Sequence, residues 1–188
     1  MRCRWANPAN PLYVRYHDEE WGIPVHDDHR LFEMLVLESF QAGLTWECVL
    51  NRRESFRAAF CGFDLDSVCA FDEAQVERLC HDAGIIRNGR KIRAAVANAR
   101  VFRAIRDAHG SFDAYLWGWS EGRVLRERGL VQSPLSRALA RDLGRRGMTF
   151  VGPVMMYAYL QAVGVVDGHE EGCFLCRDRR SPDGPQTI

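Results

Sequence analysis

Apolar positions recur every three to four residues along most of the chain, and the polar positions between them include residues that start and stop helices. Leu31, Phe32, Leu35 and Val36 follow this period directly after Asp27-Asp28, which can cap a helix start; the pattern runs out near Ala42-Gly43. Thr45 can cap the next helix, with Trp46, Val49, Leu50 and Phe56 on its apolar side. Asp72 followed three residues later by Gln75 has the form of a capping box, and Gly84 is placed to stop that helix. Ile92, Val96, Ala99 and Phe102 make a continuous stripe through 88–109, closed by Gly110. Ser133-Pro134 joins a cap to a proline at the first helical position and opens a helix to Arg146; Gly152-Pro153 opens another, through Met156, Leu160 and Val163 to Gly164. Strand signals are scarce. The pattern predicts six or seven helices with short connections, an all-α fold, without internal repeats. The tail 177–188, with two prolines and several charges, is expected to fray.

A chain of 188 residues makes one domain, or one with a small lobe attached. With 47% hydrophobic and 27% charged residues it is an ordinary globular mix, which excludes a disordered or collagenous chain. Lys+Arg and Asp+Glu each number 25, so any nucleic-acid partner must be held by a local patch rather than by bulk charge. Lys91 is the only lysine, so chemistry that needs a lysine amine has that residue and the chain terminus to choose from. Met1-Arg2-Cys3-Arg4-Trp5 contains no apolar run, and no stretch of about 18 apolar residues exists, so neither a secretory leader nor a membrane span is expected. Seven cysteines, four of them in helical text, do not look like a secreted disulfide framework; a reduced cytoplasm is expected.

Four constellations could carry chemistry. Arg145-Arg146-Gly147-Met148-Thr149-Phe150-Val151-Gly152-Pro153 joins two helices by a tight turn with a glycine at each end. Such a hairpin can aim backbone N–H groups and a helix dipole at a phosphate, or be an ordinary helical connection. The run from Arg87 to Arg106 holds seven basic residues and no acidic one, which reads as a phosphate-facing surface or as a solvated face. Cys3 and His17 near the start, with His169 and Cys173 near the end, suit a tetrahedral zinc site, and Cys176 competes as a ligand. Finally Trp5, Tyr13, Tyr16, Trp21 and Trp46 accompany Glu38, which lies on or beside the apolar side of its helix. Rings and a carboxylate suit a flat cationic or amine-bearing guest; an aromatic core with a salt-bridged Glu is the plainer alternative.

Taken together the residues resemble a known family. Tyr13-x₂-Tyr16-His17-Asp18-x₂-Trp21-Gly22, Leu31-Phe32-Glu33-Met34 and Leu37-Glu38-x₂-Gln41-Ala42-Gly43-Leu44-Thr45-Trp46 are similar to the bacterial 3-methyladenine DNA glycosylase I family, of the helix-hairpin-helix superfamily. Asp82-Ala83-Gly84-Ile85-Ile86-Arg87, Phe150-Val151-Gly152 and His169-x₃-Cys173 continue the match in order, up to about Cys176. The resemblance implies one helical glycosylase domain over 1–176. Within it, 1–20 and 165–176 form a lobe around one structural zinc ion, and a helix-hairpin-helix lies near 134–164. It implies that Cys3, His17, His169 and Cys173 ligate the zinc, and that Glu38 reads a flipped base with Tyr16 and Trp46 around it. Tyr13, Trp5 and Trp21 become further pocket wall. Gly43 and Leu44 are pressed into the duplex, and Gly147 and Gly152 meet DNA from the hairpin. Thr45 stands where the family more usually has Ser, and Phe40 where some members are polar. The stretch 110–132 matches poorly, so its structure is not inferred.

The implied activity is excision of 3-methyladenine from alkylated double-stranded DNA by a monomer. No membrane and no obligate protein partner are expected. A base stacked in a duplex is unreachable, so the nucleotide must rotate into a pocket, at a few kcal/mol of unstacking. The N3-methyl group makes the base a good leaving group, so the pocket's task is recognition, with Glu38 expected as the ionised acceptor of the exocyclic amine. Lys91, in the basic helix, is expected away from the pocket, hence a monofunctional hydrolase that leaves an abasic site. Asp167 stands near the catalytic Asp of related helix-hairpin-helix glycosylases, but a turn residue or support for the zinc site is the plainer role. Two other classes remain open at this stage: a non-catalytic protein that captures alkylated DNA, and a zinc hydrolase of small nucleosides, which would need an open metal position.

Overall fold

Asn10 opens the first helix, α1 (Pro11–Glu19), by accepting from the N–H groups of Leu12 and Tyr13, with Pro11 at the first helical position. Asp27 caps α2 (Asp28–Gln41) through the Arg30 N–H, and Thr45 caps α3 (Trp46–Leu50) through that of Cys48. The expected single helix past Thr45 is broken. The Arg52 guanidinium folds back onto the Cys48 carbonyl (2.9 Å), and α4 (Arg53–Ala59) starts on a new axis that carries Phe56. A 3-10 turn (Cys61–Phe63) and α5 (Leu65–Cys69) follow. The Asp72–Gln75 capping box opens α6 (Glu73–His81), which ends at Asp82 rather than at Gly84. Asn88 caps α7 (Gly89–His109), which Gly110 terminates, and Ser111 caps α8 (Phe112–Gly118). A Ser133–Ser136 capping box opens α9 (Pro134–Arg145), and α10 (Pro153–Ala162) starts at Gly152.

This computed structural model describes residues 1–176; the expected frayed tail, 177–188, lies outside the described residues. Among the described residues there are ten α-helices rather than six or seven. The surplus comes from the division of the expected Thr45 helix into α3 and α4 and from α1, α5 and α8, whose nine residues or fewer are too short for a helical stripe to be read from period alone. α8 lies in the stretch 110–132. That stretch also holds β1 (Leu125–Arg126), which pairs in parallel with β2 (Val166–Asp167), Leu125 opposite Val166, and so anchors it to the C-terminal segment. Among the described residues no helix is long and apolar enough to cross a membrane. All seven cysteines are free of disulfides.

α2 is the axis of the molecule. Ten consecutive residues, Leu31 to Phe40, are buried, because α3, α7, α8 and α10 all pack on it. Phe40 is fully buried against the edge of Phe56 (ring centroids 4.8 Å), so the departure at this position faces the core. Phe32 meets Phe102, which stacks on Phe112 at 3.8 Å, joining α2, α7 and α8. Two carboxylates, Glu33 and Glu38, lie inside this buried run.

Candidate active site

Five rings enclose a cavity of about 220 Å³. Tyr13 and Tyr16 come from α1, Trp46 from the first position of α3, and Trp5 and Trp21 from the segments flanking α1. Tyr16 and Trp46 approach to 5.2 Å between centroids; Trp5 sits 5.4 Å from Tyr13 and 4.8 Å, edge-on, from Trp21. All five ring residues and Glu38, expected as one group, therefore meet around one void. Gln41 on α2 and Ala158 and Gln161 on α10 complete the lining. Those from α10 escaped the sequence reading; the available signal was a lone amide, Gln161, in an otherwise apolar helix.

Glu38 is 3% exposed, and its Oε2 is buried with no hydrogen-bond partner; the indole Nε1 of Trp46 is in the same condition. Among the described residues no arginine is locked onto this carboxyl. Desolvation by burial pushes its pKa up to about 8. Burial by itself therefore favours the protonated carboxyl, whereas the ionised Glu38 expected above belongs to the pocket with its cationic guest. Burial, and then proximity to Glu38, raise the Tyr16 phenol well above its ordinary range.

A groove of about 440 Å³ shares Glu38, Gln41 and Ala158 with the ring cavity and leads outward from it. One wall is the loop after α2, where Gly43 has φ +80° and Leu44 is exposed. The other is the end of the α9–α10 turn, with Phe150, Gly152 and Val154. Gly147 has φ +101°, and Gly152 is the N-cap of α10. The N–H groups of Gly147 and Met148 bond back to the Gly144 and Leu143 carbonyls, and that of Thr149 to Asn98. The donors this turn can offer a phosphate are accordingly those nearer α10.

Lys91 is not remote from this site. Its side chain crosses to the end of α2, where Nζ donates to the Phe40 and Ala42 carbonyls, each at 2.7 Å. Four other residues of the basic run, Arg93, Arg100, Arg103 and Arg106, are already engaged, while Arg87 and Arg90 are exposed. Arg93 is paired with Glu73, Arg103 with Asp66 (3.6 Å) and Arg106 with Asp107 (3.1 Å). Arg100 donates to the Cys69 and Phe71 carbonyls. Asp66 and Glu73 come from α5 and α6, which pack beside α7, whereas Asp107 is the neighbour of Arg106 on α7 itself.

Cys3, His17, His169 and Cys173, all buried, bring one ligand atom each to within 4.8 Å of one another and could hold a metal ion. The Sγ···N separations are 3.5 Å (Cys3–His169), 3.4 Å (Cys173–His17) and 3.6 Å (Cys173–His169). Asp18 takes the Nδ1 of His17 (2.8 Å), which leaves Nε2 facing the cluster, and Arg2 fixes Asp18 in turn (2.6 Å). The Asp167 carboxylate accepts from the His169 backbone N–H (3.2 Å). Cys176 stands apart and accepts from Arg128 (3.1 Å). Burial pushes the Cys3 thiol up to about 12, a cost that only a strong positive charge among the donors would reverse. Gly22, with φ +77°, makes room: a Cβ there would lie 2.9 Å from His169 Nε2. Trp21, one residue earlier, packs edge-on against His169 (4.7 Å) and joins the cluster to the ring cavity.

Comparison with known proteins agrees with this geometry. The family model described as methyladenine glycosylase matches residues 5–176. The chain is 42% identical over 178 residues to DNA-3-methyladenine glycosylase 1 of Escherichia coli (strain K12), covering 92% of this chain and 95% of that protein. A crystal structure of 3-methyladenine DNA glycosylase I superposes with a TM-score of 0.89 at 41% identity, covering 93% of this chain and 99% of the other. A substituted 3-methyladenine DNA glycosylase I, crystallised in complex with 3-methyladenine, gives 0.88 at 30% identity, covering 92% and 95%.

Proposed function

The chain belongs to the methyladenine glycosylase family, and on that premise we propose that it extrudes 3-methyladenine from alkylated double-stranded DNA and hydrolyses its bond to the sugar. It is a DNA-repair N-glycosylase. The observation that carries the reading at residue level is the 220 Å³ ring cavity with the unpartnered Oε2 of Glu38 in its wall. A methylated, positively charged purine gains from the faces of Tyr16 and Trp46. It also supplies the positive charge that burial sets Glu38 apart from, so the carboxyl releases its proton to water as the guest enters and then, ionised, accepts from the exocyclic amine. Tyr13, Trp5 and Trp21 close the wall and exclude water. Neutral adenine offers no such charge and leaves the sugar less readily.

When the bond from the sugar C1′ to the base breaks, its electron pair returns to the base and neutralises the methyl-induced charge. Water adds to C1′ and loses a proton, leaving an abasic site. Nearby DNA phosphates stabilise the developing positive charge on the sugar. The Lys91 ammonium, engaged with two carbonyls, supports hydrolysis without a Schiff base; an adduct trapped by borohydride would contradict this. Gly43 and Leu44 enter the duplex where the lesion leaves, and the hairpin around Gly147 and Gly152 holds a phosphate as a helix-hairpin-helix near 134–164.

Cys3, His17, His169 and Cys173 suit one zinc ion. A tetrahedral site with ordinary zinc–sulfur and zinc–nitrogen bonds has edges of about 3.5 Å, matching the observed separations. Four protein donors fill the coordination sphere, so the ion is structural, tying 1–20 to 165–176 within a single domain over 1–176. This disfavours the alternative of a zinc hydrolase. The reading is of a monomer working in the cytoplasm without an obligate protein partner.

The decisive assay incubates the protein with methylated duplex DNA and identifies the freed base. Release of 3-methyladenine, reduced about a hundredfold by Glu38→Gln and strongly by Trp46→Ala, is expected. Binding without release would mean a damage-binding protein instead.

A further inference from the structure

Two buried polar side chains on α7 have no part in the chemistry above. Lys91 and Asn98 are 5% and 2% exposed and stand seven residues apart, hence on one face of the helix, with about 10 Å of rise between them. Each is spent on the backbone of a segment lining the outer groove. Lys91 donates to the Phe40 and Ala42 carbonyls, where α2 gives way to Gly43 and Leu44. Asn98 forms a reciprocal pair with Thr149, accepting from its N–H and donating to its carbonyl, both at 2.9 Å. The residue after Thr149 is Phe150, a bulky side chain at φ +56°, a conformation that persists only where its surroundings over-determine it. The loop after α2 and the α9–α10 turn lie more than a hundred residues apart in sequence, yet both hang from this one helix.

We propose that Lys91 and Asn98 are positioning residues, and that α7 acts as a ruler fixing the wedge loop and the phosphate-holding turn at one separation across the duplex. The proposal rests on the reading that these two segments meet DNA. A buried ammonium is a costly way to finish a helix when a glycine cap and a leucine would fill the space. What the charged side chain adds is direction: two carbonyls at the negative end of the α2 dipole, held from a fixed point on α7. The Asn98 amide supplies the same rigidity at the turn. Neither side chain lines the ring cavity, so base recognition and duplex engagement are supported separately.

Free 3-methyladenine binding and single-turnover excision from duplex DNA separate the two functions. In Lys91→Met and in Asn98→Ala, affinity for the free base is expected to hold while excision falls by about tenfold to a hundredfold, as for a misplacement near 1 Å. Because both residues set one distance, the double variant should be little worse than the poorer single one. Should Asn98→Ala not fold, Asn98→Asp, which keeps the acceptor for the Thr149 N–H, gives the same readout. Leu44→Ala is measured alongside. If Leu44→Ala lowers excision but the α7 variants leave it unchanged, the ruler is wrong; the same follows if free-base affinity falls in parallel with excision. If Leu44→Ala is itself without effect, the reading of the loops as DNA-contacting fails, and the ruler fails with it.

Discussion

Glu33 and Glu38 lie five residues apart on α2, both at most 3% exposed, yet one is locked between two arginines and the other meets none among the described residues. Glu33 Oε1 accepts from Arg53 and from Arg57, each at 2.8 Å. Burial would push Glu33 up, but those hydrogen bonds and charges outweigh it and hold its pKa below the ordinary value. Burial acts alone on Glu38 and takes it to about 8. One helix thus carries a carboxylate whose charge is structural and a carboxyl whose charge is held back for a guest.

The contrast fixes a pH dependence of stability. Glu38 has a folded pKa of about 8 against an ordinary 4.5, so its contribution is fully present below 4.5 and is lost as pH rises through 8. The loss is of the order of a few kcal/mol. Glu38→Gln keeps the shape and removes the titration. Chemical denaturation at pH 6 and pH 9 should therefore show the parent losing stability between the two while the variant does not. At pH 9 the variant is the more stable protein, although its excision is impaired. A parallel loss in both would show that another group governs this window.

Excision should carry the same signature. The form of Glu38 that attracts a cationic base is the carboxylate, and kcat/KM reports the ionisation of the free enzyme. It should rise with pH, bend near 8 and then level off, whereas Glu38→Gln should lie low without that bend. A parent profile flat from pH 6 to 9 on methylated duplex DNA would remove Glu38 ionisation from the mechanism.

Much of this was legible in the sequence. Caps at Asp27, Thr45, Asp72 and Ser133 are local chemistry, and each starts a helix where the side chain could reach an N–H three residues on. The ring cluster was legible because five aromatics flank short helices within the first 46 residues. What escaped was set by distant neighbours. The acids that pair with Arg93 and Arg103 come from α6 and α5. The carbonyls under Lys91 are backbone, invisible to any side-chain pattern. That Arg53 and Arg57 pair with Glu33, while burial alone acts on Glu38, is something no spacing within α2 reveals.

Arg53 offers a test of that division. Its guanidinium, 9% exposed, bridges Glu33 (2.8 Å) and Glu20 (2.6 Å). Arg53→Met leaves Glu33 buried with Arg57 as its remaining partner and should cost about 3 kcal/mol in a urea titration. Because this network lies outside the ring cavity, affinity for free 3-methyladenine should be retained under conditions where the variant is folded. Loss of free-base binding by folded Arg53→Met would mean that the two carboxylates are coupled.

The metal cluster makes a last, sharper prediction. With zinc bound as proposed, a strong chelator should lower the unfolding temperature by about 10 °C, since the ion ties both ends of the described chain together. Gly22→Ala then tests the geometry without touching a donor. Its φ of +77° strains any side chain, and the new Cβ would sit 2.9 Å from His169 Nε2. Gly62→Ala supplies the control, with φ +65° and open space around the added carbon. Backbone strain is of similar kind in the two, about 1–2 kcal/mol, so any excess in Gly22→Ala measures displacement of His169. The expected result is reduced zinc content in Gly22→Ala and full content in Gly62→Ala, by metal analysis of the purified proteins. Equal zinc in both would mean that His169 moves aside without leaving the ion, and that Gly22 is there for the turn alone.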